Sequence, residues 1–180
     1  MHSLLTRLNA LVAYMLSVLA AVTFGAFLTT VYNDYTLPAQ LAAQNIRVKN
    51  LPDYVAGGIK HDLAHFVFDV SVDVSPLFNW NVKQLFLYLA AEYDTPKNSF
   101  NQVVLWDKII RRGEHPVVDI QSVPPKYYFW DDGSFLLGHE NVTLKLYWNV
   151  IPNAGYMWLV SANSGEQTLK FPDAYTTAKF

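Results

Sequence analysis

The chain has 180 residues, with 13 Lys and Arg against 15 Asp and Glu, a formal net charge of −2, and no Cys. The near-balance gives no electrostatic reason to expect nucleic acid, whose phosphates need a clustered basic face. The missing Cys excludes disulfides, thiolate zinc sites and a cysteine nucleophile. An apolar content of 52% with only 16% charged residues excludes a disordered chain.

The first element is a charge-free run of 26 residues from Leu8 to Asn33, bounded by Arg7 and Asp34. As a helix it would span about 39 Å at ~1.5 Å per residue, more than the ~30 Å hydrocarbon core of a bilayer. Thr23 and Gly25 could serve as the −3 and −1 positions of a cleaved signal peptide, but the apolar run continues through Ala26, Phe27 and Leu28. The reading is an uncut signal anchor over 11–33, with 1–10 as a short cytosolic N-terminus and 34–180 exported. Arg7, His2 and the free amine on one side and Asp34 on the other set that orientation through the positive-inside rule. Along the run, Ala13, Ser17, Ala21, Gly25 and Thr29 recur at every fourth position. Such a small-residue stripe lets a second transmembrane helix pack closely, so it is the candidate helix-packing face.

The exported part alternates with period two. In Phe66 to Val74 the apolar residues take every second place, the pattern of a half-buried strand. Gln40 to Asn50 precedes it as the first strand. Leu85 to Tyr93 is apolar on both faces and reads as central. Val103 to Ile110, Tyr127 to Trp130, Val142 to Ile151 and Met157 to Ser161 follow, with Leu169 to Phe171 as a short edge. Turn signals at Pro76, Thr95-Pro96-Lys97-Asn98, Gly113, Pro124-Pro125, Asp132-Gly133, Pro152 to Gly155 and Asn163-Ser164-Gly165 separate them. About seven short strands so spaced predict an antiparallel β-sandwich, and the protein as a whole reads as mainly β behind one transmembrane helix.

Chemistry is sparse. No serine sits in G-x-S-x-G or S-x-x-K. His61 and His65 have the spacing of a helical zinc pair, yet the H-E-x-x-H glutamate and a third ligand are missing, so a solvated loop pair is expected. His139-Glu140 reads as an exposed loop and His115-Pro116 as a turn. Asp131-Asp132 before Gly133 reads as a hairpin turn rather than an acid/base pair. No catalytic, cofactor-binding or metal-binding residue is assigned. Asn141-Val142-Thr143 is an N-x-[ST] sequon, making Asn141 the candidate glycosylation site. Among the five tryptophans, Trp106 and Trp148 fall in strands and should pack. Trp80, after a Pro turn, is the candidate partner contact.

At Trp80 the sequence becomes recognisable. Asn79-Trp80-Asn81-Val82-Lys83-Gln84-Leu85-Phe86-Leu87-Tyr88-Leu89 resembles the signal peptidase complex subunit 3 family of eukaryotes. So do Asn101 to Ile109, Asn141 to Leu144, and Trp148-Asn149-Val150-Ile151-Pro152-Asn153-Ala154-Gly155. The resemblance implies a single-pass type II protein of the endoplasmic reticulum membrane with a glycosylated lumenal domain. It implies a noncatalytic accessory subunit that supports signal-peptide removal, partnered by a catalytic serine subunit and the other accessory subunits. The catalytic subunit's Ser-Met-x-Pro signature is absent here, and Asn141 is the residue that transfers. The alternative is a lumenal binding module close to the protein translocon.

Overall fold

The computed structural model describes residues 3–54 and 57–178. His2, counted above toward the N-terminal positive charge, lies outside the described residues. The chain opens with one helix, α1, over Leu4–Leu28, and none of its 25 residues is buried. Ser3 caps it, its hydroxyl accepting from the Thr6 amide at 3.2 Å. The helix is long and apolar enough to cross a membrane. It therefore starts seven residues before the stretch expected to span and stops five short of Asn33.

Nine strands follow: β1 (Gln40–Asp53), β2 (Ile59–Asp73), β3 (Val82–Tyr93), β4 (Asn101–Arg111), β5 (Val117–Val123), β6 (Phe129–Trp130), β7 (Val142–Pro152), β8 (Trp158–Ser161) and β9 (Gln167–Leu169). They form two antiparallel sheets. One runs β1-β2-β5 with β6 also on β2; the other runs β4-β3-β7-β8 with β9 also on β7. The expected sandwich is present. Its core lies between the sheets because the alternation places Phe66, Phe68, Val70 and Val72 inward from β2, with Leu85, Leu87 and Leu89 of β3 in the same core. Strand β3 is central, flanked by β4 and β7. Trp148 on β7 is fully buried, and its indole N–H donates to the Tyr35 carbonyl at 2.9 Å, which satisfies the polar end of a large core side chain.

Several expectations need correction. Strand β5 lies in a stretch for which no element is expected, between the His115-Pro116 and Pro124-Pro125 turn signals. Only Val118 of its seven residues is buried, so an edge strand carries almost no apolar alternation to read. The first hairpin is longer at its turn end, with pairing continuing from Asn50↔Asp62 to Asp53↔Ile59. His61 and His65 consequently sit in β2, opposite Leu51 and Arg47, rather than on a solvated loop. The short edge is Gln167–Leu169, two residues before the expected one, and β8 begins at Trp158 rather than Met157. Both β1 and β5 carry a register shift with a non-glycine residue at positive φ, Asn45 at 57° and Ser122 at 53°. Bulges of this kind interrupt an exposed strand edge and disfavour pairing with another chain.

Candidate functional site

The helix ends against the sandwich, and three segments distant in sequence meet there. The first is the helix exit: Thr29 closes the last turn, Thr30 is buried, and Tyr35 is buried a few residues on. The second is the Asn79-Trp80-Asn81 turn ahead of β3. The third is the β7–β8 loop, which carries Asn153-Ala154-Gly155.

Asn81 joins them. Its side chain is 1% exposed, and its amide nitrogen donates to the Thr30 hydroxyl at 2.9 Å and to the Ala154 carbonyl at 2.8 Å. Its side-chain oxygen accepts from the Ala154 amide at 3.0 Å. Its own carbonyl takes the Asn153 amide at 2.7 Å. One buried primary amide thus uses both donors and its acceptor to tie helix exit and loop to the start of β3. Asn79 repeats the device on a smaller scale. Its oxygen accepts from the Asn81 amide at 2.9 Å and its nitrogen donates to the Tyr35 hydroxyl at 2.9 Å. Arg112, at the end of β4, donates to the carbonyls of Asn79 and Val82 and braces the turn from the far side.

Gly155 completes the junction by having no side chain. Its φ is +107°, and a Cβ there would lie 2.3 Å from the Phe27 ring. The loop therefore lies directly on the last helical turn, an approach only glycine permits.

Trp80 is 59% exposed, so it is not a core residue. It stands on the turn whose two flanking asparagines are pinned, which fixes the backbone beneath an outward indole. Of the other tryptophans, Trp148 is fully buried and Trp106 is half-buried, with its ring edge-on to Phe68 at 6.4 Å. Ala13, Ser17, Ala21, Gly25 and Thr29 are all exposed, and nothing lies within 4 Å of where a Cβ on Gly25 would be. The stripe runs down the open helix and ends beside the junction. The Ser17 and Thr29 hydroxyls donate to the Ala13 and Ala26 carbonyls, at 2.9 and 2.8 Å.

Asn141 is elsewhere. It is exposed immediately before β7, whereas the junction follows the other end of that eleven-residue strand. At ~3.3 Å per residue the two are about 33 Å apart along the strand direction. The sequon is held in shape by His139, whose Nδ1 accepts from the Asn141 amide at 3.2 Å while Nε2 donates to the Asp94 carbonyl at 2.8 Å. His139 is half-buried against Tyr93 rather than an exposed loop residue.

This distal end holds a second buried polar cluster. Asp62 is fully buried, and its oxygens accept from Asn50 at 2.8 Å, Tyr175 at 3.1 Å, and the Leu136 and Leu137 amides at 3.2 and 3.3 Å. Asp131, also buried, accepts from the Tyr93 hydroxyl at 2.8 Å and the Phe135 amide at 3.1 Å. Burial, and then the bond to Asp131, push the Tyr93 hydroxyl well above its ordinary pKa. Asp131-Asp132 is therefore not a hairpin turn: Asp131 turns inward to organise the loop, and Asp132 pairs at the surface with Lys97 at 3.1 Å. Every acceptor bond here goes to a structural donor, which describes a latch on the 131–141 loop rather than an acid/base pair.

The sequence reading missed Thr30, Tyr35, Asn81 and Gly155. Their partners lie far along the chain, 73 residues for Asn81 with Ala154 and 113 for Tyr35 with Trp148. The available signal was the pair of Asn-rich blocks that carry the family resemblance, and those two blocks meet at the junction.

The sequence matches the signal peptidase subunit family SPC22 over residues 1–174. Among curated proteins, it is 54% identical over 178 residues to "Signal peptidase complex subunit 3" of Drosophila melanogaster. It is 51% identical over 179 residues to the protein so named in Caenorhabditis elegans, and 48% identical over 179 residues to the one in Homo sapiens. Each alignment covers 99% of both chains. With the family matched almost end to end and its two Asn-rich blocks interlocked at the helix exit, the chain belongs to the signal peptidase subunit family.

Proposed function

We propose that the chain is a noncatalytic accessory subunit of a signal peptidase complex, supporting signal-peptide removal in the endoplasmic reticulum. The observation that carries this reading is full-length similarity at 48–54% identity to proteins named as subunit 3 of that complex. The chain is a single-pass type II protein with the sandwich in the lumen, and Asn141 carries the glycan. The exposure of Asn141 at the end of the sandwich remote from the helix supports that reading, since a glycosyltransferase could reach it without meeting the bilayer. The open small-residue stripe is the surface on which a helix of another subunit packs. A separate serine subunit cuts. The buried carboxylates of Asp62 and Asp131 accept from backbone amides and the Tyr93 hydroxyl, which supports a structural role for that end of the sandwich.

Depletion of the chain tests this reading. Secretory precursors should then retain their signal peptides, while the purified chain alone should cleave none. Cleavage by the isolated chain, or normal processing after depletion, would overturn the accessory reading. Orientation has its own check in sealed microsomes. An endoglycosidase should shift the chain but not the Asn141→Gln variant, and external protease should spare the sandwich.

A further inference from the structure

Several exposed apolar side chains crowd the junction. Trp80 is accompanied by Tyr156 at 63% and Met157 at 51% exposure in the β7–β8 loop, and by Tyr32 at 93% just after the helix. Exposed aromatics stand at the distal end as well, Tyr54 at 86% and Phe100 at 63%, and what sets the junction residues apart is that they lie beside the helix exit. Their depth relative to the helix is fixed by the structure. From Leu8, after the single cation Arg7, to Leu28 the helix has 21 uncharged residues, about 32 Å at ~1.5 Å each against a hydrocarbon core of ~30 Å. Phe27 and Leu28 thus reach the edge of the hydrocarbon, and Gly155 lies against the Phe27 ring. The residue after Gly155 is Tyr156. Trp80 is held at the same level, because Asn81 bonds both the helix exit and Ala154.

The neighbouring charge is complementary to phospholipid. Lys83 at the start of β3 and Arg111 and Arg112 at the end of β4 line one shallow surface at this end, and none of them makes an ion pair among the described residues. Two acidic groups at this end are engaged locally: Glu114 accepts from the Arg111 amide at 2.9 Å, and Asp34 accepts from the Thr36 amide and hydroxyl.

From this geometry we infer that the junction end of the sandwich is seated in the lipid headgroup layer. Trp80, Tyr156 and Met157 lie in the interface, and Lys83 and Arg111 stand beside lipid phosphates. Tyrosine and tryptophan favour that zone because their rings are apolar and their polar tips stay wet, and an ammonium or guanidinium there gains from anionic lipid. Trp80 thereby contacts lipid rather than a protein subunit. The sandwich is held upright on the membrane by this footing, so that its distal end and Asn141 point away. The inference rests on the reading of α1 as a membrane span, and the test separates the two.

Because the chain has no Cys, each single-cysteine variant can be labelled at one site. Full-length Leu19→Cys, Tyr54→Cys, Trp80→Cys and Tyr156→Cys proteins would carry a fluorophore and be reconstituted in phosphatidylcholine vesicles, with and without phosphatidylglycerol. Nitroxide lipids labelled at the headgroup or in the acyl chain would serve as quenchers. Labels at 80 and 156 should lose most of their emission to the headgroup quencher. The label at 19 should respond to the acyl-chain quencher, and the label at 54, beyond the distal end of β1, to neither. Phosphatidylglycerol should deepen quenching at 156, and Lys83→Gln with Arg111→Gln should abolish that increment. Labels at 80 and 156 that behave like 54 while 19 is quenched would overturn the footing. So would labels that become shielded only in the assembled complex, which would assign this end to a protein partner. An unquenched label at 19 would instead overturn the span.

Discussion

The two ends of the sandwich solve one problem with different chemistry. Each must hold loops from distant parts of the chain, and each does so with a buried polar side chain bonded to backbone and side-chain groups across those loops. At the helix end the hub is Asn81, a neutral amide. At the distal end it is Asp62, a carboxylate taking four donors. A carboxylate gathers more donors and binds each more strongly. Placed against a bilayer, however, it would lose the long-range hydration that makes a buried charge tolerable. The comparison teaches that either chemistry closes a junction when its donors and acceptors are matched: an amide beside the apolar helix, a carboxylate at the far end.

Removing each hub in turn sharpens that contrast. Asp62→Ala strips partners from two backbone amides, Tyr175 and Asn50 at once, and a buried donor left unsatisfied costs about 1–3 kcal/mol. The expected loss is roughly 3 kcal/mol or more in denaturant unfolding of the full chain. A loss below about 1 kcal/mol would mean water satisfies these donors. Asn81→Ala leaves the Ala154 amide and carbonyl and the Thr30 hydroxyl without their partner. Its expected cost is about 2 kcal/mol, accompanied by protease sensitivity at the helix exit while the distal loop stays protected. Equal sensitivity at both ends would break the comparison.

Gly155→Ala acts on the junction from the other side. The φ of +107° and the contact with Phe27 both oppose a methyl group, so about 1–3 kcal/mol should be lost. A neutral result would show that the loop can lift from the helix. The smallest effect belongs to His65, whose imidazole is held below its ordinary value of 6.5, first by burial and then by the Arg47 charge. The folded state binds that proton more weakly than the unfolded chain does. The neutral form's contribution is therefore complete above about pH 6.5 and declines as pH falls through the lowered value. His65→Gln should flatten the melting temperature slightly between pH 7 and 5; an unchanged slope would assign the dependence to other groups.

Much of this organisation was legible in the residues. The helix announces itself by the charge-free stretch after Arg7, and β2, β3 and β7 by strict alternation or by apolar runs on both faces. Those signals arise from burial and are written locally. Strand β5 was illegible because an edge strand buries little, and Val117 to Val123 exposes Asp119, Gln121 and Ser122. The hubs were illegible for another reason. Asp62 is a polar residue in the middle of a histidine pair, and Asn81 sits in a turn. Nothing nearby reveals that their partners arrive from as far as 113 and 73 residues away. Asp131 misled in the same way, since Asp-Asp-Gly has the composition of a surface turn while one carboxylate points inward to Tyr93. Trp80 reads as a contact residue on a turn marked by Pro76 and the flanking asparagines, and it is exposed. That feature is local as well.

The central claim is that helix exit and sandwich form one folded unit through Asn81. Hydrogen exchange at the Ala154 amide, measured on the full chain in a bilayer mimetic, addresses it most directly, because that N–H donates to the Asn81 oxygen at 3.0 Å. The account expects Ala154 to exchange as slowly as the interior amides of β7, although it lies in a loop. Exchange at the rate of an open loop would show that the junction is not closed, and the helix would then hang from the sandwich as an independent tether.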